Sequence, residues 1–296
     1  MISILIPTYQ YNIFPLVDSL YKQLQVCGVD YEIRVYDDGS PFPELQNGKI
    51  ISFKNTIYRK FEKNIGRTGI RSIMARDAKF DWLLFLDADV MPKHSNFIED
   101  YIKAIASENC DVIFGGISYS EEVPEPDKKL RWVYGKAREA KPVEIRKKDP
   151  YFIISQNLCI QKRMFVQANT LMDNYYGLDN FFSNQLKRLD AQVLHIDNPV
   201  IHYGLEENSK FINKALKAVE TTVILEKKGL MDPDLRPIQK SYLKLNRLKM
   251  LTVFSFIVSQ FKGKMEQNFC SEHPNLFWFD LYRLHYYIQL KKKHNA

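Results

Sequence analysis

The sequence contains no run of roughly eighteen consecutive apolar residues, which argues against a membrane-spanning helix. Its four cysteines (Cys27, Cys110, Cys159, Cys270) are scattered and form no CxxC pair. That spacing suggests neither a zinc module nor a disulfide framework, and it suits a reducing cytoplasm. No GxGxxG follows the first apolar run, and no GxxxxGK followed by Ser or Thr occurs anywhere. The two commonest glycine-rich phosphate cradles are therefore missing, and a nucleotide bound here must be held another way. The opening run Met1-Ile2-Ser3-Ile4-Leu5-Ile6-Pro7 lacks the basic segment and small-residue cleavage site of a signal peptide. It reads as a first core strand. Charge is also missing from most of the chain in net terms. The net charge is +7, and residues 240–296 hold ten Lys/Arg against three acids, an excess that equals the whole. A balanced main body argues against a nucleic-acid-binding face.

What is present is an alternation. The 296 residues are enough for one large domain or a core with an appendage. Short segments at 2–6, 31–36, 56–61, 82–86 and 111–117 read as strands, the first of them continuously apolar. Between them, 13–25, 68–79 and 95–106 carry helical spacing, with Ser95 a candidate N-cap. This rhythm predicts an α/β fold with a mostly parallel central sheet. It breaks at 118–150, a charged and proline-rich excursion of the length expected for a lid or binding loop. Strands are expected again at 151–154, 157–160 and 193–196, with helices after Asp179 and over 208–226.

In parallel sheets, ligands gather at the carboxyl ends of strands. Three features fall there: Pro7-Thr8-Tyr9, Asp37-Asp38-Gly39, and Asp87-Ala88-Asp89, the last directly after the apolar run Leu83–Leu86. On an extended segment, residues two apart point the same way, so Asp87 and Asp89 are expected to face one ligand. Two neighbouring carboxylates repel, and a divalent cation with oxygen ligands removes the conflict. The plain alternative is a strand-end turn. Asp37-Asp38-Gly39 is likewise a common turn by itself. Arg67 and Arg71, four apart, share a helix face that would otherwise be solvated. A lone histidine such as His202 is as often structural as a ligand.

The order of these motifs resembles that of the family 2 glycosyltransferases with a GT-A fold. The matching segments are "SILIPTYQ", "IRVYDDGS", "KNIGRTGIRSIMARDAKFDWLLFLDAD" and "YYGLDNFFSNQLKRLDAQVLHIDNPVIHYGLEEN", in register from the N-terminus to about residue 225. The resemblance implies a Rossmann-like, mostly parallel central sheet flanked by helices. It implies a nucleotide-diphosphate-sugar donor, with UDP favoured, and inverting transfer of a hexosyl or hexosaminyl group to a glycan or glycolipid. It also implies Mn²⁺ or Mg²⁺. Carried over residue by residue, Pro7, Thr8 and Tyr9 would line the nucleoside pocket, and Asp38 would reach the base with Asp37 nearby. Arg67, Arg71 and the Asn64–Gly66 turn would lie beside the nucleotide. Asp87 would face the ribose or a metal-bound water. Asp89 would ligate the metal, and His202 would complete the metal site.

The family's base comes from a Gly-x-Glu-Asp pattern, and here the chain reads Gly177-Leu178-Asp179-Asn180. Asn180 cannot take a proton but can hydrogen-bond an acceptor hydroxyl. Asp179 is either the base or a helix N-cap. The loop over 118–150 and residues near Trp132, Gln156 and Asn157 are candidates for shaping acceptor choice. Two other readings stand beside the transferase: a sugar nucleotidyltransferase, and a donor-binding or membrane-adaptor protein that has lost its base. The expected division is a catalytic domain over 1–230 and a helical, basic and aromatic extension over 231–296. The aromatics of that tail are expected to pack on the core. Its lysines could touch a membrane surface, placing the protein in the cytoplasm, at most peripheral to the inner membrane face.

Overall fold

The apolar run at the N-terminus becomes a strand covered on both faces, β1 (Ile2–Thr8), and the rest of the sheet is built around it. In this computed structural model, residues 1–295 are described except 43, 108 and 172–174. In chain order there follow α1 (Phe14–Cys27), β2 (Tyr31–Asp37), β3 (Thr56–Lys60), α2 (Gly66–Asp77), β4 (Trp82–Leu86), β5 (Val90–Pro92), α3 (Phe97–Ser107), β6 (Val112–Phe114) and β7 (Ile117–Ser118). Next come α4 (Lys129–Tyr134), α5 (Val143–Arg146), β8 (Asn157–Gln161), α6 (Lys162–Ala168), α7 (Asp179–Arg188), β9 (Val193–His195) and β10 (Val200–His202). Four helices close the chain: α8 (Asn208–Lys227), α9 (Pro237–Arg247), α10 (Leu251–Phe269) and α11 (Leu276–Asn295).

The fold is α/β. A seven-stranded sheet has the order β3-β2-β1-β4-β8-β6-β9, parallel except that β8 runs antiparallel to both neighbours. A small second sheet has the order β5-β10-β7. The chain divides into two compact units. The first comprises 1–120, 138–174 and 185–204, and the second 121–137, 175–184 and 205–296.

In the first unit, α1 buries Leu16, Val17, Leu20 and Leu24 at helical spacing and stops at Gly28, whose φ of +62° is the left-handed end that favours glycine. α3 starts at Phe97, one residue later than an N-cap at Ser95 implies, and an early N–H, that of Ile98, is satisfied by Gln23 Oε1 of α1 at 3.0 Å. The strand expected over 111–117 is broken into β6 and β7 by two glycines. A Cβ on Gly115 would lie 2.3 Å from the Asn198 carbonyl oxygen, and Gly116 has a φ of +93°. Residues 151–154 form no strand.

The excursion over 118–150 carries more order than its composition implies. Its α5 brings Arg146 into the first unit as a buried guanidinium. Nε donates to the Lys141 carbonyl at 3.0 Å, Nη1 to Phe114 at 2.9 Å, and Nη2 to Gly115 and Ile196 at 3.3 and 2.9 Å. Nη1 also meets His195 Nδ1 at 3.1 Å. Arginine has no acceptor, so Nδ1 accepts; Nε2 then carries the proton and donates to the Pro150 carbonyl at 2.8 Å. Burial pushes the His195 pKa down, which agrees with this neutral tautomer.

Away from the strands' carboxyl ends, Glu32 is buried and accepts from Ser3 Oγ and the Lys79 amide, both at 2.6 Å, and from Arg34 at 2.9 Å. Burial works to raise its pKa, but the bonds from Arg34, Lys79 and Ser3 hold it below the ordinary 4.5. A carboxyl depressed in the folded state stabilises above its unfolded pKa, and that contribution is lost as pH falls through the folded value. Glu32→Gln is therefore expected to lower thermal stability at neutral pH and to flatten the acid limb of Tm against pH. An acid limb as steep as that of the wild type would contradict this.

In the second unit, aromatic side chains of the last helices turn inward. Leu130 of α4 packs with Phe211, Val258, Met265, Phe269, Phe279 and Tyr282, and Val219, Val223 and Tyr287 form a smaller cluster. Glu226 is held there by Lys291 at 2.9 Å and by the Tyr287 hydroxyl at 2.6 and 2.8 Å from its two oxygens. No helix among the described residues is long and apolar enough to cross a membrane.

Candidate functional site

The sheet order places the site. From β1 the chain moves to β2 and β3 on one side, then crosses to β4 on the other, so the order reverses between β1 and β4. Crevices at the carboxyl ends of strands beside such a reversal bind ligands. The register Thr8↔Asp37 brings the ends of β1 and β2 level, and Asp87 follows β4 directly. Pro7, Thr8, Tyr9, Asp37, Asp38 and Asp87 thus belong to one edge. Thr8 is buried there, and Tyr9 is exposed.

The two acids after β2 hold the loops of this edge. Asp37 accepts from the Ser40 amide at 2.8 Å and from the Tyr58 hydroxyl at 2.9 Å. Burial, and then the bond to Asp37, push the Tyr58 pKa well up, so the phenol stays protonated. Asp38 accepts from the amides of Ile65 and Gly66 at 2.8 and 3.0 Å. It satisfies donors at the start of α2 that the helix leaves without partners. Asn64 Oδ1 shares the Gly66 amide at 3.1 Å. Gly39 permits this approach: its φ is +74°, and a Cβ would fall 2.7 Å from the Asn64 nitrogen. The Asn64–Gly66 turn is therefore pinned against the end of β2.

α2 then presents Arg67 and Arg71, one turn apart, to the same carboxylate. Arg67 Nη2 lies 2.8 Å from Asp87 Oδ2, and Arg71 Nη2 lies 2.6 Å from Oδ1. Arg71 is buried, reaches the Ser155 carbonyl at 2.8 Å and lies over the Phe85 ring. Its side chain is 6% exposed against 43% for Arg67, so Arg67 is the one with access to an incoming anion.

Here one expectation is corrected. Residues 88 and 89 form a turn, so the two-residue alternation of a strand does not apply. Asp87 goes to the arginines, and Asp89 goes to His202, whose Nε2 lies 3.2 Å from Oδ2. Asp87, Asp89 and His202 do not form a three-ligand set. Among the described residues no group of three or more His, Cys, Asp or Glu is placed to hold a metal.

The Asp89–His202 pair is built by the small sheet. β10 pairs antiparallel with β5, setting His202 opposite Val90, and the Tyr203 amide donates to the Asp89 carbonyl at 2.9 Å. A Cβ on Gly204 would lie 1.8 Å from Asp89 Oδ2, so glycine is required beside the carboxylate. The Tyr119 ring meets His202 edge-on, with centroids 5.5 Å apart. Burial works to raise the Asp89 pKa, but the bond and charge of His202, with Arg67 further off, hold it below the ordinary value. Burial and then the charge of Asp89 raise the pKa of Tyr11. One carboxylate oxygen and one imidazole nitrogen face each other here, donor types that suit a divalent cation.

Sequence reasoning missed Tyr11, Tyr119 and Gly204. The glycine two residues after His202 was the available signal. Asn157 itself is fully buried, accepts from Tyr101 at 2.7 Å and donates to the carbonyls of Gly116 and Asn198, so it is a core amide. Asp179 and Asn180 lie in the second unit, in the first turn of α7. The preceding Gly177 has a φ of +85°, and a Cβ there would fall 2.8 Å from that of Ala218. Asn180 Nδ2 donates to the Gly177 carbonyl at 3.3 Å.

Comparison with known proteins agrees with this fold. The pattern of the family described as Glycosyl transferase family 2 matches residues 3–176. An uncharacterized glycosyltransferase of Haemophilus influenzae is 30% identical over 137 residues, which span 43% of this chain and 45% of that protein. The chain thus matches less than half the length of that relative. Among solved structures, the mannosyltransferase PcManGT from Pyrobaculum calidifontis, in complex with GDP-Man and Mn²⁺, aligns with a TM-score of 0.59 at 12% identity over 100% of this chain and 87% of that one. Glucosyl-3-phosphoglycerate synthase from Mycobacterium tuberculosis, in complex with Mg²⁺ and UDP, gives 0.52 at 13% identity over 78% and 80%. Residues 1–349 of TarS from S. aureus, in complex with UDP-GlcNAc, give 0.51 at 18% identity over 74% and 65%. At these identities the likeness is one of fold.

Proposed function

Because the chain belongs to glycosyltransferase family 2, we propose that it transfers a sugar, with inversion, from a nucleotide-diphosphate donor to a glycan or lipid-linked acceptor. The observation that carries this reading is the Asp89–His202 pair beside the Arg67 guanidinium, at the strand-end edge where the sheet order reverses. The donor is a UDP-sugar. Its nucleoside lies against Pro7, Thr8 and Tyr9, with the loop braced by Asp37 and Asp38 beneath it. Asp87 keeps Arg67 and Arg71 in place, and Arg67 meets the diphosphate. Asp89 and His202 would hold Mn²⁺ or Mg²⁺, which would supply positive charge to offset that on the departing diphosphate. Solved structures sharing the fold hold such ions with nucleotides.

In the transfer, the bond between the anomeric carbon and the diphosphate oxygen breaks, and a bond to the acceptor oxygen forms on the opposite face. The acceptor hydroxyl proton goes to the Asp179 carboxylate, with Asn180 hydrogen-bonding the acceptor. Residues 1–230 form the catalytic part in this reading, with 231–296 as its extension. A cytoplasmic location suits the chain, since no disulfide joins its cysteines among the described residues.

The test is turnover of nucleotide-sugars with lipid-linked and soluble saccharide acceptors, following nucleotide release and the anomeric configuration of the product. Asp179→Asn is expected to lower turnover by about a hundredfold or more while leaving nucleotide affinity within a factor of two or so. Full turnover in this variant removes Asp179 from the reaction. A product of retained configuration removes the inverting mechanism.

A further inference from the structure

α10 has two apolar faces, and among the described residues only one of them is covered. Val258, Met265 and Phe269 are buried in the core of the second unit. Val253, Phe256, Ile257 and Phe261 recur at the spacing of a second stripe on the same helix. With Leu248 and Met250 in the turn before it, these six side chains are between 42% and 66% exposed. A contiguous exposed apolar stripe of this kind marks a contact surface.

The charge around the stripe says what the contact is. Residues 240–264 contain six basic side chains (Lys240, Lys244, Arg247, Lys249, Lys262, Lys264) and no acid. The Lys264 ammonium lies 5.9 Å from the Phe261 ring centroid, so cation and apolar surface are adjacent. A second copy of this chain would set two such basic segments against each other; Glu266, 3.8 Å from Lys262, offsets one of the six charges in each, and the excess that is left is unfavourable for a symmetric dimer. An uncharged apolar partner would leave the lysines unanswered. A bilayer bearing anionic headgroups answers both features: phenylalanine and isoleucine enter at the headgroup level, and the lysines meet the phosphates. α10 does not span the bilayer, since no described helix is long and apolar enough.

We propose that the outer stripe of α10, Leu248 to Phe261 with its flanking lysines, docks the protein in the plane of an anionic membrane surface. This assignment stands on the helix alone and does not depend on the donor-site reading, although a lipid-linked acceptor would be presented at the same surface. It also narrows the membrane contact expected of the basic extension over 231–296 to α10.

The test is co-sedimentation of the full chain with phosphatidylcholine vesicles, with and without phosphatidylglycerol, at low and high salt. No nucleotide is needed, so the result is separate from the outcome of any transfer assay. Partition onto the phosphatidylglycerol vesicles is expected, weakening with salt. The double variant Phe256→Ser, Ile257→Ser should partition about tenfold less or worse, and Lys249→Gln or Lys264→Gln roughly fivefold less each. These side chains are exposed, so the thermal midpoint should not move. Absence of wild-type partition onto anionic vesicles, or equal partition of the double serine variant, overturns the proposal. So does a concentration-dependent dimer that the serine variant dissolves, which would assign the stripe to a second copy.

Discussion

Replacing Arg146 by methionine is expected to destabilise the first unit by about 3–5 kcal/mol, the largest stability effect anticipated for any single side chain outside the apolar core. The guanidinium donates to four carbonyl oxygens, those of Phe114, Gly115, Lys141 and Ile196, and to the His195 ring. Burial lowers its own pKa, so the ion is held at a cost. Removing the charge relieves that cost but leaves the carbonyls facing an apolar chain, and buried acceptors without donors cost roughly 1–3 kcal/mol each. The desolvation relief offsets only part of this. Lysine is expected to do little better, because one ammonium cannot serve carbonyls spread across a planar fork. A thermal melt should show a fall of roughly 10 °C for either variant. A melt within a couple of degrees of wild type would show that water replaces the guanidinium freely.

Asp89→Asn is expected to lower sugar transfer by about a thousandfold with little loss of fold. Asparagine keeps the size of the carboxylate beside Gly204, where a Cβ is already excluded, so packing is conserved. It removes the negative charge that His202 and Arg67 stabilise. With one neutral amide and one imidazole left, the donor set no longer favours a hard divalent cation. Asp87→Asn is expected to act differently. It frees Arg67 and Arg71 from their shared partner, so donor affinity should suffer before the metal dependence does. Steady-state rates at several Mn²⁺ concentrations separate the two, and loss of metal dependence in the Asp87 variant would reverse the assignment.

The sequence made some of this legible and hid the rest for identifiable reasons. β1 and β4 are near-continuous apolar runs, and β2 alternates Ile33 and Val35 with Glu32 and Arg34; all three end in polar clusters, and such patterns have few alternatives to strands. The site edge followed from them. The separate destinations of Asp87 and Asp89 did not, because a turn between them depends on β5 meeting β10, more than a hundred residues later. β5, β7 and β10 have three, two and three residues, too short to show any period. Arg146 sits in "VEIRKKD", a stretch that reads as solvated charge; its burial comes from α5 folding back onto the end of β6. The last helices show the converse. Their aromatics pointed to packing, but which of them turn inward and which remain on the surface of α10 is a matter of helical phase against α8 and α11, visible only once those helices are placed.

The central claim is that Asp89 and His202 join a nucleotide diphosphate to this chain through a divalent cation. Isothermal titration of UDP, GDP and TDP into the wild type and Asp89→Ala, each with and without Mn²⁺, tests it most directly. One nucleotide, UDP by this account, should bind the wild type at least about tenfold more tightly with Mn²⁺ than without, and the variant should show no such difference. Equal affinity with and without the metal in the wild type, or a metal effect that survives in Asp89→Ala, would contradict the account.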